Sequence, residues 1–503
     1  MSTNIIVNNA IPKTLPNIFK NFDSKSDVGK ILYENYNHNT FKKQEPTYKN
    51  NVIDYKLHYH QNQTVLINNI LQKYKPMAIS LKQLTKYDDL TNHAKNDSFK
   101  EKMLIDSANF IREQLIIRIS LKIKDFQNLP YKITSNKHLF KVYKSYYSIL
   151  ENFRKFPKLK TIKDNEKFLS NTQNILSDLN LVNLFNLIIG GLEISNLKYM
   201  SKNKLDVWIN ELLRARISRR LMIEEHISLS QRLSKKANQN TAKQDVNIEI
   251  LGDMFQPCNI KSYIREITDN LTERMGKDFK LKGKHVPKVL IDGAKELEIY
   301  FLPIHLRFML NEILRNSFEA TLNNGPEGDD NNINITLIKN RTSVILRVSD
   351  RGGGISLNVK KPTITSFGKT EETALECLKS LSLIKNVTVK EIIGNTSLQT
   401  LQFDSNLTSN INEKLNIQLK KSIDLSENKG ISVDDTSFEK PLLNMLTRES
   451  RFKLGIGLAL CKVYAEYWNG SMELYSLDGY GTDVVLTLGD LVYYGNKLSL
   501  DRV

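Results

Sequence analysis

The feature that most constrains this chain is a set of three short motifs that follow one another in its C-terminal third. Residues 312–320 read EILRNSFEA within a helical pattern, residues 349–355 read SDRGGGI directly after a strand-like run, and residues 453–460 read KLGIGLAL at the start of another helical segment. Each motif alone is common in proteins. Their order predicts a fold that brings one polar helix face and two glycine turns together.

The first motif pairs a carboxylate with an amide on one helix face, because Glu312 and Asn316 are four residues apart. An amide oxygen is a hard ligand that suits Mg²⁺ held against phosphates. A carboxylate one turn away can accept a proton from a hydroxyl group or from water. The alternative is a solvated surface, which most Glu/Asn pairs at this spacing form.

The second and third motifs have the chemistry of a nucleotide site. Asp350, at a strand end, can accept hydrogen bonds from an adenine amino group, and the glycines after it allow close backbone approach and positive φ. The alternative for this motif is a plain glycine turn. Gly455 and Gly457, at a helix start, leave backbone N–H groups for phosphate, and the helix dipole adds to the attraction.

The N-terminal half divides by pattern into two regions. Residues 1–65 are rich in Asn, Lys, Asp and Tyr with weak periodicity, which predicts a disordered leader. Residues 66–250 carry apolar positions at helical spacing, and long helices with short polar joins are typical of a four-helix-type bundle. The clearest stretches are 107–126, 138–154 and 205–233.

Residues 251–490 have a different pattern, in which short strand-like runs alternate with helical segments at 303–323 and 456–468. This mixture predicts a single sheet with helices on one side, an α/β sandwich. The runs are 288–291, 333–338, 343–348, 472–475 and 483–488. Residues 371–450, rich in Ser, Thr, Asn and Lys, predict a long, partly mobile insertion, and residues 491–503 form a short tail.

Composition narrows the partners. The 503 residues include 72 basic and 55 acidic side chains, a formal net charge of +17. This excess indicates either an acidic partner, such as nucleic acid or an acidic assembly, or a basic organelle. The chain has no nucleic-acid-binding signature, so no nucleic-acid partner is predicted, and no apolar run reaches the roughly 18 residues that span a bilayer.

The N-terminus is consistent with two interpretations. Residues 1–22 contain Lys13 and Lys20 and no acidic residue, as a mitochondrial import peptide would. The first arginine of the chain is Arg112, however, whereas matrix-targeting segments are usually rich in arginine. The segment is either a presequence, whose cleavage point the sequence does not define, or a disordered leader.

In their order and context, the three motifs resemble the GHKL ATP-binding fold that histidine kinases, Hsp90 and MutL share. The chain lacks a Walker P-loop and the HRD motif of eukaryotic protein kinases. The resemblance implies that the chain binds ATP.

Four stretches carry a closer resemblance. Residues 110–119 look like a helix of the pattern FLRxELPxRLA, residues 216–226 like RIxxRMLxxxH, residues 350–354 like DRGGG, and residues 475–483 like SxxGxGTD. Together they resemble the mitochondrial kinases of pyruvate dehydrogenase and of branched-chain 2-oxo-acid dehydrogenase. The likeness covers about residues 74–490 apart from the insertion.

This resemblance implies a protein kinase that transfers phosphate from MgATP to serine on the E1α subunit of a mitochondrial matrix dehydrogenase, without a phosphohistidine intermediate. It implies that Glu312 is the general base, that Asn316 holds Mg²⁺ and that Asp350 binds adenine. Gly455 and Gly457 would line the phosphates. The other positions carried over to the nucleotide site are Arg315, Glu319, Gly352, Gly354, Thr370, Ile456 and Thr482.

The resemblance also implies a regulatory region on the helix at 216–226. His226 takes the place of the histidine that accepts phosphate in two-component kinases, but in this family that residue is structural or regulatory. Arg216 and Arg220 either contact an anionic effector or pair with acidic residues. The expected partners are E1α, the lipoyl domain of E2, and a second kinase subunit, identical or paralogous, joined through the sandwich domains.

Several positions depart from the family pattern. Glu319 replaces an arginine, Lys453 replaces the first glycine of the third motif, and Phe308 stands where the pyruvate dehydrogenase kinases have a histidine. The Asp-Trp tail that supports lipoyl-domain docking is missing from 490–503. A nucleotide-binding scaffold and a histidine autokinase are therefore alternatives. Pyruvate dehydrogenase is the leading candidate substrate, although these sequence features are common to both kinases.

Overall fold

The structure, a computed structural model, describes residues 57–74, 76–87, 90, 96–236, 255–293, 297–326, 331–357, 364–382 and 455–494. These residues form a mixed fold of helices and strands, as the sequence predicts. The expectations for residues 1–56, for most of the insertion and for the tail beyond residue 494 lie outside the described residues.

Seven helices make up the N-terminal part of the described chain. They are α1 (Leu57–Lys73), α2 (Leu81–Leu84), α3 (Asp97–Gln127), α4 (Tyr131–Thr134), α5 (Lys137–Lys155), α6 (Ile162–Asn196) and α7 (Lys202–Lys236). Polar caps begin the long helices. The Asn136 side chain accepts hydrogen bonds from the first amides of α5, and Thr161 forms a capping box with Asp164 at the start of α6.

The chain becomes helical earlier than its composition indicates, because α1 begins at Leu57 rather than after residue 65. This helix packs against α3, and Ile67 is buried in the core. Helices in proteins are stabilised mainly by such packing rather than by their own propensity. Residues 57–65, which the sequence pattern assigned to a disordered leader, are therefore part of a helix.

Four long helices, α3, α5, α6 and α7, pack against one another. Two consecutive glycines in α6 allow its neighbours to come close. A Cβ on Gly190 would meet Leu139 of α5 at 2.8 Å, and one on Gly191 would meet Ile209 of α7 at 2.6 Å. These glycines, which weaken a helix interior, thus serve close packing. Among the described helices, none combines the length and the apolar character needed to cross a membrane.

Seven strands lie in the C-terminal part of the described chain. They are β1 (Gln256–Asn259), β2 (Val289–Gly293), β3 (Glu298–Phe301), β4 (Ile333–Lys339), β5 (Ser343–Asp350), β6 (Ser471–Leu477) and β7 (Gly481–Gly489). Five of them form one sheet in the order β2-β4-β5-β7-β6, in which only β2 and β4 run parallel. All five strand-like runs of the sequence lie in this sheet.

The expectation of a single sheet is incomplete, because β1 and β3 form a separate antiparallel ribbon. Each of its strands has four residues, and only Cys258 of β1 is buried, so the sequence pattern is too short to recognise. The helix α8 (Ile260–Leu281) was also not predicted. Its buried residues do recur at helical spacing: Ile260, Ile264, Ile267, Leu271, Met275 and Phe279.

The remaining helices are α9 (Pro303–Asn324), α10 (Glu371–Ser382), α11 (Gly457–Tyr467) and the short α12 (Leu491–Tyr494). Helices α9 and α11 pack together on one face of the five-stranded sheet, and α8 packs on α9. The side chains of β5 alternate accordingly, with Val344 and Val348 buried and Arg347 exposed. This arrangement places all three motifs at one end of the sheet, because β5 ends at Asp350 and α11 begins at Gly457.

Part of the predicted insertion is an ordered helix, because α10 packs on α6 of the helical part. The segment before α10 is anchored to the same region. Ser195 Oγ donates a hydrogen bond of 2.8 Å to the Lys369 carbonyl, and the Phe367 amide donates one of 2.7 Å to the Asp206 carboxylate. The ordered fold therefore extends to Ser382, past the predicted start of the insertion at residue 371.

A buried carboxylate in the helical part predicts pH-dependent stability. Glu193 of α6 accepts a hydrogen bond of 2.6 Å from the Asn136 side chain, and the His138 ring lies 3.8 Å away. Burial raises the pKa of Glu193 from 4.5 to about 7, against the opposing effects of Asn136 and Lys137. Because the pKa of Glu193 is higher in the folded state than in the unfolded state, the protonated carboxyl group contributes to stability. This contribution is complete below about pH 4.5 and is lost as the pH rises through about 7.

We expect Glu193→Gln to remove this pH dependence and to raise the free energy of unfolding above pH 7 by up to about 3 kcal/mol. The reason is that glutamine keeps the hydrogen bond to Asn136 without a buried negative charge. Urea unfolding at a series of pH values measures the effect, with Glu166→Gln, an exposed position on the same helix, as the control. Parallel pH profiles for Glu193→Gln and the wild type would contradict the assignment.

Candidate functional site

A cleft of about 370 Å³ lies between the polar face of α9, the residue Ile364 and the start of α11. Its lining comprises Glu312, Arg315, Asn316, Glu319, Ala320, Asn323, Asn324, Ile364, Gly455, Gly457 and Leu458. The cleft thus brings together the predicted residues of the first and third motifs, which are far apart in the chain. Arg315 and Glu319 form an ion pair on its wall, with 2.8 Å between Nε and Oε1.

The Glu312 carboxylate is enclosed between α9 and α11. Only 1% of this residue is exposed. A Cβ at Gly457 would collide with a carboxylate oxygen of Glu312, so the first residue of α11 lies directly against the acid. Only glycine permits such an approach. Asn316, one turn further along α9, is partly exposed in the cleft, so the acid and the amide share a helix face as predicted.

Asp350 is the last residue of β5 and is buried. Its Oδ1 accepts hydrogen bonds from the amides of Gly352 at 3.0 Å and of Thr482 at 3.3 Å. Burial raises the pKa of the Asp350 carboxyl group, whereas the two amide donors lower it. Asp350 does not line the cleft itself. It adjoins the cleft through Gly352, which packs so closely on Ala320 of α9 that a Cβ has no room.

The last hairpin, β6–β7, holds the glycine loop that follows Asp350. Gly353 and Gly354 have φ values of +82° and +71°, which glycine adopts without strain. The Gly479 amide donates a hydrogen bond of 2.8 Å to the Gly353 carbonyl. The Thr482 hydroxyl lies 2.9 Å from the Ser476 hydroxyl. The predicted residues Gly354 and Thr482 therefore belong to one loop cluster behind the cleft.

The third motif makes a tight turn into α11. Gly455 has a φ of +64°, and the Cys377 sulfur of α10 fills the space that a side chain at Gly455 would need. Ile456 is 1% exposed, so its side chain belongs to the core and only its backbone borders the turn. The first amides of α11, from Gly457 onward, have no acceptor within the helix, and such a terminus attracts anions. The turn is suited to holding phosphate.

The comparisons with known proteins identify the family of this chain. A family model described as mitochondrial branched-chain alpha-ketoacid dehydrogenase kinase matches residues 78–247. A Saccharomyces cerevisiae protein named pyruvate dehydrogenase (acetyl-transferring) kinase 2, mitochondrial, is 39% identical over 451 residues, which is 89% of this chain and 88% of the yeast one. The chain belongs to the mitochondrial pyruvate dehydrogenase kinase family.

More distant members of the pyruvate dehydrogenase kinase family are similar over most of the chain. A mitochondrial pyruvate dehydrogenase kinase of Arabidopsis thaliana is 22% identical over 397 residues, 78% of this chain and 86% of the plant one. The human isozyme 4 is 20% identical over 436 residues, 83% of this chain and 82% of the human one. At these coverages, the likeness extends into both the helical part and the strand-containing part of the chain.

Thr370, a predicted nucleotide contact, lies away from the cleft in this family member. Thr370 is exposed at the start of α10, where its hydroxyl lies 2.8 Å from the Thr373 hydroxyl and accepts from the Thr373 amide. It is absent from the described residues that line the cleft, because it caps α10 instead. A role for Thr370 in binding nucleotide stays a prediction.

Sequence reasoning missed several residues of the cleft, namely Ala320, Asn323, Asn324, Ile364 and Leu458. Asn323 had a signal, because it follows Asn316 by two helical turns and continues the polar face of Glu312 and Asn316. Ile364 had none, since it comes from a segment without a recognisable pattern. Its place in the cleft depends on how the segment before α10 is anchored to the helical part.

The predicted regulatory residues of this kinase-family member lie together on α7. Arg216 and Arg220 are buried, and Arg220 forms an ion pair with Glu224, as one of the two alternatives predicts for it. His226 is buried with both ring nitrogens in polar contact: Nδ1 lies 3.1 Å from Ser107 Oγ and Nε2 lies 2.9 Å from Asn165 Oδ1. Burial lowers the pKa of His226 to about 3, so the ring is neutral.

Proposed function

We propose that this protein is an ATP-dependent serine kinase that phosphorylates, and thereby inactivates, the E1α subunit of pyruvate dehydrogenase in the mitochondrial matrix. The observation that carries the proposal is the contact between the Glu312 carboxylate and Gly457, which puts an acid beside a phosphate-type turn. The names of the yeast, plant and human relatives support pyruvate dehydrogenase as the target. The family model is named for the kinase of the branched-chain enzyme, so branched-chain dehydrogenase is the alternative substrate to compare.

In this proposal α3, α5, α6 and α7 form the four-helix bundle of the family, and the five-stranded sheet with α8, α9 and α11 forms a GHKL nucleotide-binding domain. The order of the parts supports the assignment. A polar helix (α9) and a glycine turn into a helix (α11) line one cleft, and the strand that ends in Asp350 (β5) adjoins this cleft through Gly352. Motifs that are separate in sequence can form one functional site only when the fold brings them close together.

The residues of the cleft fit a nucleotide that carries a divalent cation. Its described lining contains two carboxylates, Glu312 and Glu319, against one guanidinium, Arg315, so a bare triphosphate would meet net negative charge. No group of three or more His, Cys, Asp or Glu side chains among the described residues could hold a metal alone. Mg²⁺ commonly takes only one or two protein ligands and completes its shell with water and phosphate. Asn316 would supply the protein ligand, and the cation would neutralise phosphate charge.

The other predicted residues take complementary roles. The amides at Gly455 and Gly457 would receive the phosphates, and Asp350, oriented by the amides of Gly352 and Thr482, would accept from the adenine amino group. Glu312 would take the proton from the serine hydroxyl of E1α as the serine oxygen bonds to the γ-phosphorus and ADP leaves. Because the transition state of phosphoryl transfer is loose, positioning and charge neutralisation dominate catalysis.

The proposal is tested by incubating the protein with ³²P-labelled ATP and Mg²⁺ and with purified pyruvate dehydrogenase E1 or branched-chain E1. We expect acid-stable label on a serine of E1α, faster on the pyruvate dehydrogenase subunit, and a parallel loss of dehydrogenase activity. Faster labelling of the branched-chain subunit would change the substrate. ATP binding without label on either would replace the kinase by a nucleotide-dependent scaffold.

Two partner assignments belong to the same proposal. The kinase would form a dimer, with itself or with a paralogous kinase, through the sheet domains. It would also contact the lipoyl domain of E2. Sedimentation of the purified protein, alone and mixed with isolated lipoyl domain, measures both interactions. A monomer that does not bind the lipoyl domain would contradict both partner assignments without affecting the kinase assignment.

The burial of His226 predicts that it accepts no phosphate. We expect no acid-labile label on the protein after incubation with ATP, since the ring is enclosed by Ser107, Asn165 and Phe168. His226→Gln should lower the free energy of unfolding by about 1–3 kcal/mol, because buried partners lose a hydrogen bond, yet retain phosphoryl transfer below its melting temperature. Complete loss of transfer by a folded His226→Gln protein would revive the histidine-autokinase alternative.

A further inference from the structure

The wall of the cleft carries an ion pair whose role the motifs do not explain. Arg315 and Glu319 lie one turn apart on α9, and Nε of the arginine is 2.8 Å from Oε1 of the glutamate. The side chains are 3% and 14% exposed, so both are largely shielded from water. Exposed ion pairs at this spacing contribute little to stability. A shielded pair that borders a binding cleft, in contrast, holds its two side chains in defined positions.

The geometry of the pair determines how the Arg315 guanidinium is presented to a bound anion. The hydrogen bond from Nε uses one edge of the planar guanidinium and sets the orientation of the whole plane. A cation on the wall of a partly dry cleft acts more strongly on phosphate charge than it would in water. The position of the Arg315 guanidinium therefore affects how the cleft binds phosphates, and the hydrogen bond to Glu319 is one contact that orients it.

Two other roles for Glu319 fit the contacts less well. As a ligand of the magnesium ion, the Glu319 carboxylate would have to bind the metal while its Oε1 already accepts from Arg315, which would bring two cations onto one carboxylate. As a direct contact of the nucleotide, a carboxylate would repel the phosphates. Both roles remain outcomes of the test below.

We propose that Glu319 is a positioning residue that holds the Arg315 guanidinium against the cleft wall, where this cation meets the phosphates of the nucleotide. Glu319 itself contacts neither the nucleotide nor the metal. The inference rests on the proposed function, because it assumes that the cleft between α9 and α11 receives ATP.

The test is a double-mutant cycle on ligand affinity. Calorimetry with ATP, ADP and adenosine in constant Mg²⁺ is applied to the wild type, Glu319→Ala, Arg315→Gln and the double variant. We expect each single change to weaken ATP binding about tenfold, as the loss of one charge-assisted contact does. The double variant should bind ATP no more weakly than Arg315→Gln, because Glu319 acts only through Arg315.

The choice of ligands separates positioning from collapse of the cleft. Loss of a positioned cation weakens ATP and ADP but leaves adenosine affinity unchanged, whereas a distorted cleft weakens all three. Glu319→Gln keeps an acceptor for Nε and should lose less ATP affinity than Glu319→Ala, which also covers the case in which the alanine variant folds poorly. Glu151→Ala, which removes the ion pairs of a partly exposed glutamate with Arg154 and Lys155 on α5, is the control and should bind as the wild type does.

Several results would overturn the inference. Losses that add in the double variant would make Glu319 a direct ligand of the nucleotide or of the metal. Tighter ATP binding by Glu319→Ala would make it a repulsive charge, and equal weakening of adenosine would make it a structural residue. A wild type that binds no ATP would instead remove the proposed function, so the two failures are distinct.

Discussion

Glu312→Gln is expected to lower the rate of phosphoryl transfer to E1α by about 10² to 10⁴ while ATP affinity changes little. Glutamine has the same shape as glutamate and fits between α9 and Gly457. It cannot accept the serine proton, so only the chemical step suffers. Single-turnover transfer of ³²P to E1, together with calorimetric titration of ATP, separates the rate from the binding constant.

The matched control for this change is Glu113→Gln, an exposed glutamate on α3. It should transfer phosphate at the wild-type rate. Equal transfer by Glu312→Gln and the wild type would remove Glu312 as the base and leave it a structural acid. Weaker ATP binding in parallel with the slower rate would indicate that the carboxylate mainly supports the metal through Asn316.

Gly457→Ala is expected to have the second large effect, which is loss of both ATP binding and phosphoryl transfer. The added methyl group would collide with the Glu312 carboxylate, so the acid or the start of α11 must move. Either movement separates the acid from the turn that receives phosphates, and a displacement of about 1 Å at such a site can cost about 10² in rate. Calorimetry with MgATP and the E1 labelling assay measure the two losses.

Gly276→Ala is the control for this substitution. It lies inside α8, its added Cβ meets nothing closer than Val286 at 3.9 Å, and its φ is not positive. The control should gain up to about 1 kcal/mol of stability, because alanine favours a helix over glycine, and should bind ATP normally. Wild-type ATP affinity in Gly457→Ala would mean that the cleft does not hold the phosphates at this turn.

The local elements of this fold were readable from the sequence because their signals are local. Alternating apolar residues marked the five strands of the main sheet, and the helical periods of α3, α5 and α7 marked those helices. The spacing of Glu312 and Asn316 already placed both on one face of α9. The order of the three motifs then led to a nucleotide site without any knowledge of their contacts.

Elements with weak or interrupted patterns were not predicted from the sequence. The ribbon of β1 and β3 is too short for alternation to be recognised, and α10 was assigned to an insertion because its helical pattern is weak within a polar stretch. Both are ordered by partners distant in the chain: β1 by β3, and α10 by α6. Tertiary packing overrides local preference in such cases.

The sequence by itself determined the types of the elements and the chemical groups that they carry, because periodicity, caps and glycine turns act within a few residues. Only the tertiary structure decided which groups meet. The packing of α11 on α9 puts Gly457 against Glu312, and the folding of the last hairpin brings the Thr482 amide to Asp350. The burial of His226 on α7 likewise comes from two other helices, α3 and α6, whose Ser107 and Asn165 contact its ring nitrogens. These contacts join residues far apart in the chain, and their geometry follows from how whole elements pack rather than from any local pattern.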